Sequence, residues 1–257
     1  MKLSIVKKKK NRITFEIAKS SIGYVNSLRR IFMNDVPTMA ISTVEFKQNT
    51  SALYDESIAH RLGLIVLKTD LKSYNIPKEG AEESAATHLH LTLKESGPKT
   101  VYAGDLKSKD SKVVPVFPET PIVKLMETQD IELIATAHLG FGRNHSKWTP
   151  GIVTYYFKPI IKVNNKSPKL KEFIDKYPPK IVKKGTIDES KINSPELIDA
   201  CKGVCDDVVS ITYPEEQTEF IFTIECWGQL SPKEIIEEGL KQYDRYLDEF
   251  NKLLKDL

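Results

Sequence analysis

Two pairs of residues stand at spacings that could do metal or redox chemistry. Cys201-Lys202-Gly203-Val204-Cys205 is a C-x3-C, the spacing of the last two cysteines in the ferredoxin run C-x2-C-x2-C-x3-C-P. A four-iron cluster needs four thiolates, yet the upstream pair is absent and Asp206 stands where the proline belongs. Cys201 and Cys205 are therefore weak metal candidates, and buried free thiols are the plainer reading. His88 and His90 lie two apart on an expected strand, so they share a face and could ligate a metal. No cysteine or carboxylate pattern completes that site nearby, and exposed strand histidines are the default. The phosphate loop, the G-x-S-x-G nucleophile elbow and the H-E-x-x-H zinc signature are all missing.

Composition narrows the classes further. The 257 residues are 40% hydrophobic, enough for a sizeable core and against wholesale disorder. Lys+Arg 38 against Asp+Glu 35 leaves +3, too balanced for a surface that grips nucleic acid throughout. The run Lys7 to Lys10 reads as an exposed turn between strands rather than as a phosphate contact or targeting signal. No stretch of about 18 apolar residues suggests a membrane span. Met1 to Lys10 lacks the apolar stretch of a secretory signal. Three cysteines are too few for a disulfide framework, so a cytoplasmic protein is expected.

Periodicity indicates the elements that must hold these residues. Ile13, Phe15 and Ile17 alternate as on a half-buried strand. Ser20 or Ser21 can cap a helix carrying Ile22, Val25, Leu28 and Phe32, with Arg29 and Arg30 near its end and Pro37 stopping it. Met39, Ile41, Val44 and Phe46 resume strand spacing, and the break between Ile41 and Val44 predicts a bulge. A second helix is expected from about Asp55, with Ile58, Leu62 and Ile65 inward and His60 as a packing or interface residue. Tyr74 to Thr87 reads as a loop and Leu89 to Val163 as mostly short strands. Asn164 to Ser194, rich in proline and lysine, is a linker or a small appended subdomain. Phe220, Phe222, Ile224 and Cys226 alternate on one further strand.

The last segment carries the sharpest pattern. Ser231, Pro232 and Glu234 fit a capping box with proline at the first helical position. Ile236, Leu240, Tyr243, Leu247, Phe250, Leu254 and Leu257 then recur at alternating spacings of 4 and 3, a heptad seam. The seam either lies on the chain's own sheet or packs on a partner helix; the second reading is preferred. Gly140 to Pro150, flanked by His138 and containing His145, Lys147 and Trp148, is too glycine-rich and polar for core and reads as a docking loop.

Several segments together resemble the alpha-like subunit family of multisubunit RNA polymerases, especially its archaeal D-type members. They are Asn26-Ser27-Leu28-Arg29-Arg30-Ile31, Val44-Glu45-Phe46 through Asn49-Thr50-Ser51 to Asp55-Glu56, His60-Arg61-Leu62-Gly63-Leu64-Ile65, Gly140 to Pro150, and Phe220 to Ser231. They fall in order over almost the whole chain. No cysteine-rich zinc loop of the polymerase II type lies between Leu67 and His88.

The resemblance implies an α+β fold. A discontinuous dimerisation domain would be built from residues 1–47 and 208–257, a mostly-β insert domain from 48–163, and a small ferredoxin-like subdomain from 164–207. Many D-type members hold iron–sulfur clusters, but the departure at Cys201 and Cys205 means the cofactor is not carried over. By resemblance the protein is a non-catalytic subunit of DNA-directed RNA polymerase, a nucleotidyltransferase. It would pair with subunit L and support subunits N and P and the large catalytic subunits, meeting DNA and RNA only through the complex. The expected partner surface comprises Leu28, Arg29, Arg30, Phe32, His60, Arg61, His145, Lys147, Trp148, Ile236, Leu240, Tyr243, Leu247, Phe250 and Leu254. An iron–sulfur or metal-binding redox protein using Cys201 and Cys205 is the rival reading.

Overall fold

The computed structural model describes residues 1–78, 80 and 82–255. The elements run β1 (Lys2–Lys8), β2 (Arg12–Ala18), α1 (Ile22–Asn34), β3 (Thr38–Asn49), α2 (Asp55–Gly63), β4 (His88–Ser96), β5 (Lys99–Tyr102), β6 (Lys107–Ser108), β7 (Pro121–Leu125) and β8 (Asp130–Gly140). Then follow β9 (Gly151–Phe157), β10 (Ile160–Val163), α3 (Leu170–Phe173), β11 (Val182–Lys183), β12 (Thr186–Ile187), α4 (Pro195–Cys201), β13 (Val209–Thr212), β14 (Glu219–Cys226) and α5 (Pro232–Lys255). This is an α+β chain whose sheets pair antiparallel wherever their register is defined. One four-stranded sheet runs β1-β2-β14-β9 and the other β3-β8-β4-β6.

The chain forms two compact units. One comprises Met1–Val6, Phe15–Val25 and Tyr155–Phe222; the other comprises Lys7–Thr14, Asn26–Thr154 and Thr223–Leu257. In the larger unit, β8 is the spine between β3 and β4. Its register with β3 slips between Ile41 and Thr43, where the broken alternation predicts a bulge, and again between Phe46 and Gln48. Alternation puts Leu89, Leu91 and Leu93 of β4 and Ile131, Leu133, Ala135, Ala137 and Leu139 of β8 into one apolar core. Ile58 and Leu62 of α2 close that core. Helix α2 ends at Gly63, so Ile65 reaches the core from the following turn and not from the helix as expected. At 11 residues, β8 is longer than the short strands anticipated for Leu89 to Val163.

The smaller unit has its own core. Tyr177, Ile181, Ile187, Ile192, Ile198, Cys201, Val208 and Val209 are buried together. Residues 164–194 thus contribute Leu170, Tyr177, Ile181, Ile187 and Ile192 to a packed core and are more than a bare linker. Phe15 stacks on Phe222 with ring centroids 5.2 Å apart, and Lys158 bridges Glu16 and Glu219 at 2.8 and 3.1 Å. The four lysines Lys7 to Lys10 are exposed around the turn from β1 to β2.

Helix α1 is capped by Ser21, whose hydroxyl accepts from the Tyr24 amide at 3.3 Å. Its apolar stripe is Val25, Leu28, Ile31 and Phe32, all buried. Helix α5 opens on the expected capping box: the Glu234 carboxylate accepts from the Ser231 amide at 2.8 Å, and the Ser231 hydroxyl accepts from the Glu234 amide at 3.3 Å. No helix among the described residues is long and apolar enough to cross a membrane.

Candidate docking surface

Helix α5 has two adjacent heptad faces, and the chain covers only one. The covered face is Ile235, Gly239 and Gln242, all buried, followed by half-buried Tyr246. Gly239 is there because a Cβ would lie 2.3 Å from Cδ1 of Phe32, so only glycine lets the helix approach that ring. The second face is the seam. Ile236 and Tyr243 are half-buried; Leu240, Leu247, Phe250 and Leu254 are exposed by 39, 46, 58 and 50%. Leu257 lies outside the described residues. An amphipathic helix normally turns its apolar stripe toward a core. Here four large apolar side chains in register face away from it, an arrangement that ordinarily marks an interaction surface.

The other expected interface residues divide by burial. Leu28 and Phe32 belong to the chain's own interior at 6 and 2% exposure, because Gly239 draws α5 down onto that stripe. Arg30 is exposed. Arg29 turns back along α1, its Nε and Nη2 donating to Asn26 Oδ1 at 3.1 and 3.0 Å. His60 and Arg61 are exposed on α2, where Arg61 Nη2 donates to the Pro121 carbonyl at 2.7 Å.

The Gly140 to Pro150 loop is more firmly built than its composition suggests. Trp148 is only 8% exposed, a correction to the expectation that this stretch is no part of a core. The indole lies flat on the backbone at Gly140, where a Cβ would be 2.4 Å from the ring. Trp148 Nε1 donates to the His138 carbonyl at 3.2 Å, and Thr38 Oγ1 donates to the Trp148 carbonyl at 2.6 Å. The Lys147 ammonium sits 4.3 Å from the indole centroid and donates to the Ile41 carbonyl at 3.0 Å. Burial lowers its pKa. His145 is exposed and caps the short turn Ser146–Trp148, its Nδ1 accepting from the Lys147 amide at 3.0 Å.

His138 packs against Trp148 with centroids 5.2 Å apart and the rings tilted by 35°. Its Nδ1 donates to the Leu139 carbonyl at 2.9 Å, which assigns the ring proton to that nitrogen. Burial, more than the neighbouring His88 and Lys147, pushes its pKa down. His88 faces His138 across the strands at 5.5 Å, and His90 Nδ1 meets Thr136 Oγ1 at 3.0 Å. The expected face-sharing of His88 and His90 thus matters less than two cross-strand pairings that only the β4–β8 register creates.

The cysteines do not assemble a cluster site. Cys201 closes α4 fully buried among Ile181, Ile198 and Val208, and burial raises its pKa, the reverse of what a thiolate ligand needs. Cys205 is half-buried nearby, whereas Cys226 belongs to the other unit. Two thiols do not fit a four-iron cluster. Among the described residues no group of three or more His, Cys, Asp and Glu could hold a metal ion.

Comparison with known proteins accounts for the ordered motifs. The RNA polymerase Rpb3/RpoA insert domain family matches residues 44–152, which include the second half of β3, all of β8 and the Gly140 to Pro150 loop. The DNA-directed RNA polymerase subunit Rpo3 of Pyrococcus furiosus is 34% identical over 98% of this chain and 98% of its own length. Its counterpart from Thermococcus kodakarensis is 34% identical over 98% of this chain and 99% of its own, and that from Methanosarcina acetivorans 34% over 92 and 91%. Identity at that level along nearly the full length of both chains is family membership, and the chain belongs to the archaeal DNA-directed RNA polymerase subunit Rpo3 (D) family.

Proposed function

We propose that this chain is a non-catalytic assembly subunit of DNA-directed RNA polymerase, acting in the cytoplasm. Through the α5 seam it pairs with subunit L, and the dimer forms the platform on which subunits N and P and the two large catalytic subunits gather for DNA-templated RNA synthesis. The observation that carries this reading is the uncovered seam, four large apolar residues held in heptad register on a capped 24-residue helix. Packing a second helix into that seam removes the apolar surface from water, the main drive for association.

The docking loop and the exposed end of α2 supply a second, polar surface for the large subunits. Arg30 at the end of α1 and Arg61 on α2 suit carboxylates of a large subunit, since a guanidinium pairs with them in a planar fork. Division into a discontinuous dimerisation domain, an insert and a cofactor-free subdomain belongs to the same proposal.

The test is co-expression of the full chain with and without L. A stable one-to-one complex is expected, with the chain alone prone to self-association through α5. A lone chain that stays monomeric and never captures L would contradict the reading.

A further inference from the structure

The chain's own grip on α5 ends at Tyr246. Residues 247–255 are exposed on every side. At about 1.5 Å per residue, these last turns project about 13 Å past that point. A partner that holds Leu247, Phe250 and Leu254 therefore acts on a lever whose last fixed point is Tyr246.

Tyr246 is tied to two other segments. Its hydroxyl donates to Asp35 Oδ1 at 3.0 Å and accepts from Arg143 Nη1 at 2.8 Å. The order of donation is fixed, because a guanidinium has no acceptor and a carboxylate no proton to give. Arg143 also lies 3.3 Å from Asp35. Asp35 sits just past α1, its amide still bonded to the Ile31 carbonyl at 2.9 Å. Arg143 belongs to the docking loop. Its amide donates to the Asn34 carbonyl at 3.1 Å, and its guanidinium covers the Phe141 ring at 4.7 Å. Three residues from three segments thus meet on one phenol. The Asp35 side chain is well covered, at 14% exposure, while that of Arg143 is half open, at 50%, so the guanidinium is the more exposed partner of the pair.

We propose that Tyr246 is a positioning residue that couples the α5 seam to the docking loop, so that engagement of the seam by L orders the loop a large subunit reads. The proposal rests on the function inferred above and adds the residue that carries the coupling. Coupling is reciprocal: a loop held more firmly by L must in turn strengthen the hold of L on α5 by the same factor.

The experiment is hydrogen exchange of amides 141–147 in the full chain, with and without saturating L, for the wild type, Tyr246→Phe and Asp35→Asn. In the wild type L slows loop exchange by about tenfold, the worth of one charge-assisted hydrogen bond. In Tyr246→Phe the ring packing stays, the loop exchanges faster, and its response to L disappears. Asp35→Asn behaves the same way, and both variants bind L about tenfold more weakly. A merely structural tyrosine would instead speed exchange equally with and without L and leave the response intact, which overturns the proposal. A wild-type loop indifferent to bound L overturns it too. Failure of the wild type to bind L sinks the underlying function and the coupling together.

Discussion

Leu247→Asp separates a helix that serves its own fold from one that serves a partner. In the isolated chain Leu247 is 46% exposed, so a carboxylate there stays in water. The cost to the chain's own stability is about 1–1.5 kcal/mol, from the partial burial lost and the weaker helix propensity of aspartate, a shift in Tm of about 2–6 °C for a chain of this size. In a helix–helix seam the balance changes. Fully burying a leucine contributes about 1.5–3 kcal/mol, and roughly half of that is still unrealised here, so about 1 kcal/mol of association is lost. Desolvating an unpaired carboxylate adds about 3 kcal/mol. The sum, about 4 kcal/mol, lowers affinity for L about a thousandfold. Titration calorimetry reads the affinity and scanning calorimetry the stability, with Glu249→Ala on the polar face as the control. If Leu247→Asp binds L within threefold of the wild type, or melts 10 °C lower by itself, then Leu247 packs inside the chain and the reasoning is wrong.

Three further outcomes follow from the geometry. Gly239→Ala puts a methyl against the fully buried Phe32 ring; overpacking of about 1–3 kcal/mol exceeds the gain in helix propensity, so stability falls, and Gly239→Ala with Phe32→Leu recovers much of it in denaturant titrations. The pKa of His138 is lowered from 6.5 by burial, so this β8 side chain binds a proton more readily once the Trp148 loop no longer covers it; docking is full above that pH and weakens as pH falls below it. Trp148 fluorescence in a Trp227→Phe background should follow that loss, and His138→Gln should flatten it. Anaerobically purified protein should contain no stoichiometric iron; iron that is present and lost in Cys201→Ser would revive the redox reading.

Regular local signals in the sequence translated directly into structure. The capping box at Ser231 and Glu234, the bulge after Ile41 and the seam from Ile236 to Leu254 each depend on residues a few positions apart. What stayed hidden depends on close approach between distant segments. The covered face of α5 contains one large aliphatic residue, Ile235, beside Gly239 and Gln242, and does not look like a core stripe until Phe32 is seen against the glycine. Trp148 reads as a docking residue because the loop around it is polar, yet Gly140 opens a flat place for it on β8. The facing of His88 and His138 requires the register of two strands 50 residues apart, which spacing along one strand cannot reveal. The bond network on Tyr246 joins three segments and carries no local pattern at all.

If the apolar side of α5 beyond Tyr246 belongs to another chain's helix, amide exchange along residues 247–255 must differ between the free chain and the purified polymerase. Exchange is expected to be fast in the free chain and strongly slowed in the assembled enzyme. Equally fast exchange in both, with Leu247 and Phe250 still open to solvent in the complex, would contradict it.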